Sequence, residues 1–341
     1  MLREAAVVAL LVLVAGCGSD SESAPPKTPA AEPGKAPVVT DALPGRVVRV
    51  GDAPEGIVIG TSGIAAVGVR NPDGVALVDA ATGAVRQTVR TQGAPRHLAL
   101  AGPDGPLLVP LEGSNELLDV DLATGKVIAT VGGVGHQPHD VAQTSDGTRV
   151  VTNELGGGMV FVRNNAVASS VPPGPPQPGG VAAVGPYAAV ADVQGNGVFV
   201  YDGAAGKEVA HAPVGKKLTH IVTMVDRTVA VADTDGGAVF VESVTPDVRQ
   251  VARIDAPGNP YGLAYNARRG LLLVTLTATN MLRVIDVSNP SVPKILGDLP
   301  TVRQPNSVAV EPNTGNVLVT GSDPGGDSSL QIIDVNELPS R

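Results

Sequence analysis

Tryptophan is absent from this chain, phenylalanine occurs three times and tyrosine four times. So few aromatic faces argue against a protein that stacks unpaired bases and against a sugar-stacking lectin. Positive charge is scarce as well: 24 Lys and Arg stand against 33 Asp and Glu, a net charge of −9. A nucleic-acid partner needs a basic face that neutralises phosphates, so none is expected. The single cysteine, Cys17, rules out an intramolecular disulfide. No GxSxG, HExxH, Walker or dinucleotide fingerprint occurs.

What the chain has in abundance is glycine, 42 residues, and proline, 30. In a helix interior each costs about 1 and 3 kcal/mol respectively, so long helices are excluded. Between these breakers lie short runs rich in Val and Ala, the pattern of an all-β fold. The N-terminus differs. Arg3 and the apolar run Ala5 to Val14 are too short to cross a bilayer and read as a signal peptide, residues 1–16. Val14-Ala15-Gly16-Cys17 resembles a bacterial lipobox, which makes Cys17 the expected lipidation site and the anchor to the membrane. Residues 17–45, rich in Pro, Ala and Ser, hold too little apolar surface to offset ordering entropy. They are expected to be a disordered tether. The folded part, 46–341, is then extracytoplasmic, held at the bacterial cell membrane.

A turn residue recurs at Pro54, Pro95, Pro138, Pro178, Leu218, Pro260 and Pro305, always 40 to 45 residues apart. That period suits one four-stranded propeller blade, repeated seven times. The seventh unit ends after its third strand, while Arg46 to Val50 reads as a fourth strand ahead of the first unit. An open ring would leave a bare edge, so this N-terminal strand is expected to complete the last blade, with Val47, Val48 and Val50 packed inward. The expectation is a seven-bladed β-propeller of four-stranded antiparallel blades, and a monomer.

The repeats Val150-Val151-Thr152-Asn153, Leu118-Asp119-Val120-Asp121 followed by Ala123-Thr124-Gly125, and Val284-Ile285-Asp286-Val287 resemble the YVTN-repeat propellers of bacterial and archaeal surfaces and periplasm. The resemblance spans residues 46–335, with Val150 where the family's leading Tyr would stand. It implies a binding platform more than an enzyme. The lack of Trp sets the chain apart from quinoprotein dehydrogenases, whose propellers resemble Trp-rich repeats.

Strand alternation places the residue after each turn at one mouth of the central channel. Glu55, Arg96, His139, Tyr261 and Asn306 fall there, with His97, Asp140 and His220 in the ring below. These eight are the expected ligand-binding residues. A divalent metal held by some of His97, His139, Asp140, His220 and Glu55 is the alternative, since imidazole and carboxylate suit such ions. It would permit lactonase-like or lyase-like chemistry. His97 and His220 lie three blades apart, a wide separation for one ion. His136 and His211 are expected to play no part. Acids also gather in the loops after the second strands, at Glu112, Glu154, Asp192, Asp233, Asp235, Asp323 and Asp327, as turn-formers or as a docking surface for a basic partner. A third reading is an accessory subunit of an envelope redox enzyme.

Overall fold

The computed structural model describes residues 32–171, 174–195, 197–225, 227–322 and 329–341. It forms a ring of seven four-stranded antiparallel sheets, a seven-bladed β-propeller. Blades 1 to 6 span 52–90, 99–132, 138–171, 178–213, 218–255 and 260–300, each folding its four strands in chain order from the axis outward. Blade 7 takes its three inner strands from 305–333 and its outermost from Arg46–Arg49. In that closure Val47 lies opposite Gln331 and Val48 opposite Leu330. Only part of the expected packing holds: Val50 is buried and Val48 packs against the core between blades 7 and 1, whereas Val47 is 45% exposed. Alternation along a strand turns neighbours to opposite faces, so two consecutive valines cannot both point inward.

The second and third strands read as near-continuous apolar runs because neighbouring blades cover both their faces. All five residues of Leu107–Leu111 are buried, while the outer strand Val85–Arg90 is almost wholly exposed. The buried apolar side chains sort into seven clusters, each shared by two adjacent blades. Val, Leu and Ala do this work. The largest fully buried side chains, Tyr201 and Phe161, sit together between blades 3 and 4.

Loop chemistry separates the two faces of the ring. On one face, several hairpins between third and fourth strands share a recipe: the Asp79 carboxylate accepts from the Thr82 N–H and hydroxyl, and Gly83 reverses the chain at φ 74°. Asp121, Thr124 and Gly125 repeat it. We call this the hairpin face and the other the turn face.

The stretch expected to be a free tether behaves differently where it is described. Residues 32–37 lie against the turn face, with Ala36 buried, and the chain then passes Gln331, whose amide donates to the Pro44 carbonyl at 3.0 Å, to enter the closing strand from the hairpin face, where Arg46 reaches the Ala81 carbonyl. Residues 1–31, including Cys17, are outside the described residues.

Candidate functional site

A repeated irregularity builds the channel mouth. Pro138 pairs with Asn153, then the register slips and Val141 pairs with Val151. The same slip separates Pro178 from Val181, Leu218 from Ile221 and Pro260 from Leu263. One extra residue on the inner strand leaves two residues outside the ladder and re-aims their side chains. The mouth therefore collects side chains with no duty in the sheets. Gly262 serves close approach instead: a Cβ there would stand 2.6 Å from the Asn306 carbonyl oxygen of the next blade.

The mouth is filled by a buried network drawn from several blades. Arg96 Nε lies 3.0 Å from Glu55 Oε1, and the guanidinium also reaches the Tyr261 hydroxyl. Arg70 bridges Glu55 and Glu112, at 3.6 Å from each. His139 Nδ1 sits 3.0 Å from Glu112 Oε1 and 3.2 Å from Glu154 Oε2. The Gln137 amide donates to the other side of Glu154 Oε2 at 2.9 Å. Three carboxylates thus meet Arg70, Arg96 and His139. Burial alone would pull the His139 imidazole down, but its bonds to Glu112 and Glu154 outweigh that and hold its pKa up at about 9. Burial pushes Glu154 the opposite way, and the paired imidazolium overrides it, holding the carboxyl at about 2.

His97 and His220 form a neutral pair beside this network. Their Nε2 atoms are 2.9 Å apart, and His220 Nδ1 is 2.9 Å from the Tyr261 carbonyl oxygen. A carbonyl only accepts, so His220 carries its proton on Nδ1 and its Nε2 accepts from His97 Nε2–H. Burial, with the neighbouring cationic His139, lowers His220 to about 3 and depresses His97 as well. The separation by three blades therefore did not translate into distance: the channel is narrow enough for rings from blades 2 and 5 to touch across it, with centroids 4.4 Å apart.

Asp140 lines the channel beside these histidines, but its carboxylate is engaged. Its carboxylate turns into the wall, where Oδ1 accepts from its neighbour Val141 N–H at 2.8 Å and Oδ2 from Val181 N–H of the next blade at 2.9 Å. Burial raises its pKa to about 6 despite those bonds. Its role is to tie blade 3 to blade 4. Asn306 is in the mouth and buried, and its Oδ1 has no hydrogen-bond partner among the described residues.

The ligands of the alternative metal reading do not assemble into one set among the described residues. At 2.9 Å the two facing Nε2 atoms leave no room for an ion that sits about 2.0–2.1 Å from each nitrogen, and Asp140 points away. A different set does converge: Glu112, His139 and Glu154 offer ligand atoms within 4.8 Å of one another. There the His139 proton and a divalent ion are alternative occupants of one place. Of the loop acids, Asp192 and Asp233 are turn-formers, accepting from the backbone of their own loops and of the preceding turn. Asp323 and Asp327 lie outside the described residues. His136 is away from the network, and His211 stacks on Phe199 at the outer strand.

Below the histidines the channel is a cavity of about 370 Å³, walled by the inner strands. Leu100, Gln143, Ala183 and Thr223 line its far end and are half-buried, whereas His97, His139 and His220 at the near end are closed in. The channel is thus shut at the turn face and open towards the hairpin face.

No family model matches the sequence, and no curated relative does. Among solved structures the chain is similar to a chain of Kuenenia stuttgartiensis hydrazine synthase, at 18% identity over 87% of this chain and 97% of that one, TM-score 0.70. It is also similar to a chain of a mitotic checkpoint complex, at 15% identity over 93% and 99%, TM-score 0.72. Streptogramin B lyase matches at 12% identity over 85% and 97%, TM-score 0.70. These neighbours, enzymes and assembly components alike, share with this chain the propeller fold.

Proposed function

We propose that this protein is a lipid-anchored, extracytoplasmic propeller of the YVTN-repeat kind that acts as a non-enzymatic binding platform, with the turn face as its working face. One observation carries the reading. Arg96, Glu55, Arg70, Glu112, His139 and Glu154 bury charge at the channel mouth, although only Glu55 and Arg70 of the six are paired in a strand ladder. Burying ion pairs is costly and contributes little to stability over an apolar filling. Placing so much charge at one face serves recognition better than folding, since the same space filled with apolar side chains would hold the ring at least as well. Two experiments test it. Cys17→Ser should release the chain from the membrane fraction, and a variant that stays bound refutes the anchor. A photo-crosslinking residue at exposed Asp235, on the turn face, should give adducts in intact cells, while one at exposed Ala123, on the hairpin face, should not. Equal or reversed yields overturn the choice of face.

A second reading rests on the convergence of Glu112, His139 and Glu154: a metal-dependent hydrolase or lyase. It requires that His139 give up its proton to a divalent ion. Metal analysis and calorimetric titration of the purified protein with Mg²⁺, Mn²⁺ and Zn²⁺ decide it, His139→Gln being the control.

A further inference from the structure

Residues 32–37 cross the turn face of blades 7 and 6 towards the axis, and side chains of those blades hold them by their backbone. The Pro37 carbonyl accepts from Asn280 Nδ2 at 2.9 Å, and the Ala36 carbonyl from Arg303 Nε at 3.3 Å. The Gln304 amide works in both directions, accepting from Ala36 N–H at 3.1 Å and donating to the Gly34 carbonyl. Gly34 N–H in turn donates to Thr277 Oγ1 at 2.7 Å. A side-chain amide that both gives and takes in this way imitates the edge of a neighbouring strand, the basis of extended-peptide recognition. Asn280 also fixes its partner, because its Oδ1 accepts from Gln304 N–H at 3.0 Å.

Side-chain selection is confined to three positions. A Cβ on Gly34 would lie 2.7 Å from the Ala278 methyl and 3.0 Å from Asn259 Oδ1, so that place admits only glycine. Ala36 is buried, which restricts it to a small residue. Glu32 reaches a small cavity at the axis shared with Arg96, His139, Thr219 and Tyr261, where its charge acts on Arg96. The remaining side chains, such as Lys35 and Pro37, face solvent. Nothing in the sheets depends on this stretch, since the closing strand begins only at Arg46. Its few hydrogen bonds are set against the entropy cost of ordering the segment, so it is held in a balance that a competitor can tip.

We propose that the turn face of blades 6 and 7 is a peptide-binding groove that the chain fills with its own residues 32–37. Its ligand in trans is an extended segment of a partner protein with the same features: a carboxylate at the axis, glycine two residues later and a small residue two further on. This deepens the binding-platform reading and rests on its choice of the turn face.

The probe is a fluorescent synthetic peptide of residues 31–40, and the readout is anisotropy with full-length protein. Gly34→Leu should evict the resident segment, and its chain should bind the peptide at least tenfold more tightly than wild type does. A second variant, with residues 32–37 all changed to serine, should behave alike, so a defect peculiar to one variant does not decide the outcome. Adding Gln304→Ala to either should weaken binding at least tenfold, and Glu32→Gln in the peptide several-fold. No binding by two variants that melt like wild type overturns the groove. Equal binding by wild type and both variants overturns its occupation in cis. Crosslinks at Asp235 together with the first result would leave the platform standing and the groove refuted; together with the second they would leave the platform standing and the occupation in cis refuted.

Discussion

The strand Pro138–Gln143 makes the same kind of bond at both its ends, in different surroundings. Near the turn face the Asp140 carboxylate crosses to the next blade and accepts from Val181 N–H in a closed environment. Near the hairpin face the Gln143 amide crosses to the preceding blade and donates to the Ala101 carbonyl at 3.0 Å, half-buried beside the open channel. Where water can reach, a lost partner is replaced; where it cannot, the orphaned group bears its full desolvation cost. One end is therefore a structural rivet and the other an adjustable wall, although both are polar inter-blade contacts.

The largest effect should come from Asp140→Ala, which strands two buried N–H groups worth about 1–3 kcal/mol each when unsatisfied. Urea unfolding should show a loss of roughly 2–4 kcal/mol, and a loss near zero would erase the contrast between the two ends. Next comes the pH dependence of the turn-face network. The folded pKa of His139, about 9, lies above its unfolded value, so its contribution is complete below about pH 6.5. It is lost as pH rises through 9. Asp140, raised to about 6, finishes titrating near neutrality, whereas Glu242, raised to about 7, is half titrated there and adds to the fall only at the start of the window. His97 and His220, held neutral, remove stability only on acidification. Between pH 7 and 9 stability should thus fall with a slope approaching about 1.4 kcal/mol per pH unit. His139→Gln should flatten that slope, and an unchanged profile in the variant would show the imidazole is not charged in the native state.

A smaller effect is expected from Glu242, whose buried Oε1 has no hydrogen-bond partner among the described residues and whose pKa is raised by burial alone. Its folded pKa exceeds the unfolded one, so the ionised group weakens the fold as pH rises from about 4.5 to about 7. Glu242→Gln should raise the melting temperature at pH 8 and leave it nearly unchanged at pH 4. The smallest effect belongs to Gln143→Leu, which should cost under about 1 kcal/mol. A loss as large as that of Asp140→Ala would mean the far end of the channel is as closed as the near end.

The seven blades and the closing strand were legible in the sequence because each follows from a local repeat. Pro138, Pro178 and Pro260 each mark the start of a strand, and counting onward finds the residues that leave the ladder. What crosses the axis was not legible. Chain spacing sets His97 and His220 three blades apart and carries no trace of the channel's width, so their direct contact could only be seen in three dimensions. The direction of Asp140 depends on an N–H of the following blade. Glu112 and Glu154 were visible as loop acids, yet Arg70, which bridges Glu112 to Glu55, carries no mark beyond its place at the end of a second strand. Residues 32–37 escaped for a related reason: composition measures what a segment can bury by itself, and these residues are held by side chains some 240 or more positions away.

Thr277, Asn280, Arg303 and Gln304, which hold the N-terminal segment, all emerge near the end of synthesis, and so does Leu330, against which Val48 closes the ring. A chain broken off anywhere before these positions has an unfastened front end and two raw sheet edges. Residues 32–37, made early, are thus late to find a seat, and their seating marks a finished ring. A quality-control protease that cuts within residues 32–37 only while they are unseated would discard truncated copies of this protein and spare complete ones, with no need to inspect the blades at all.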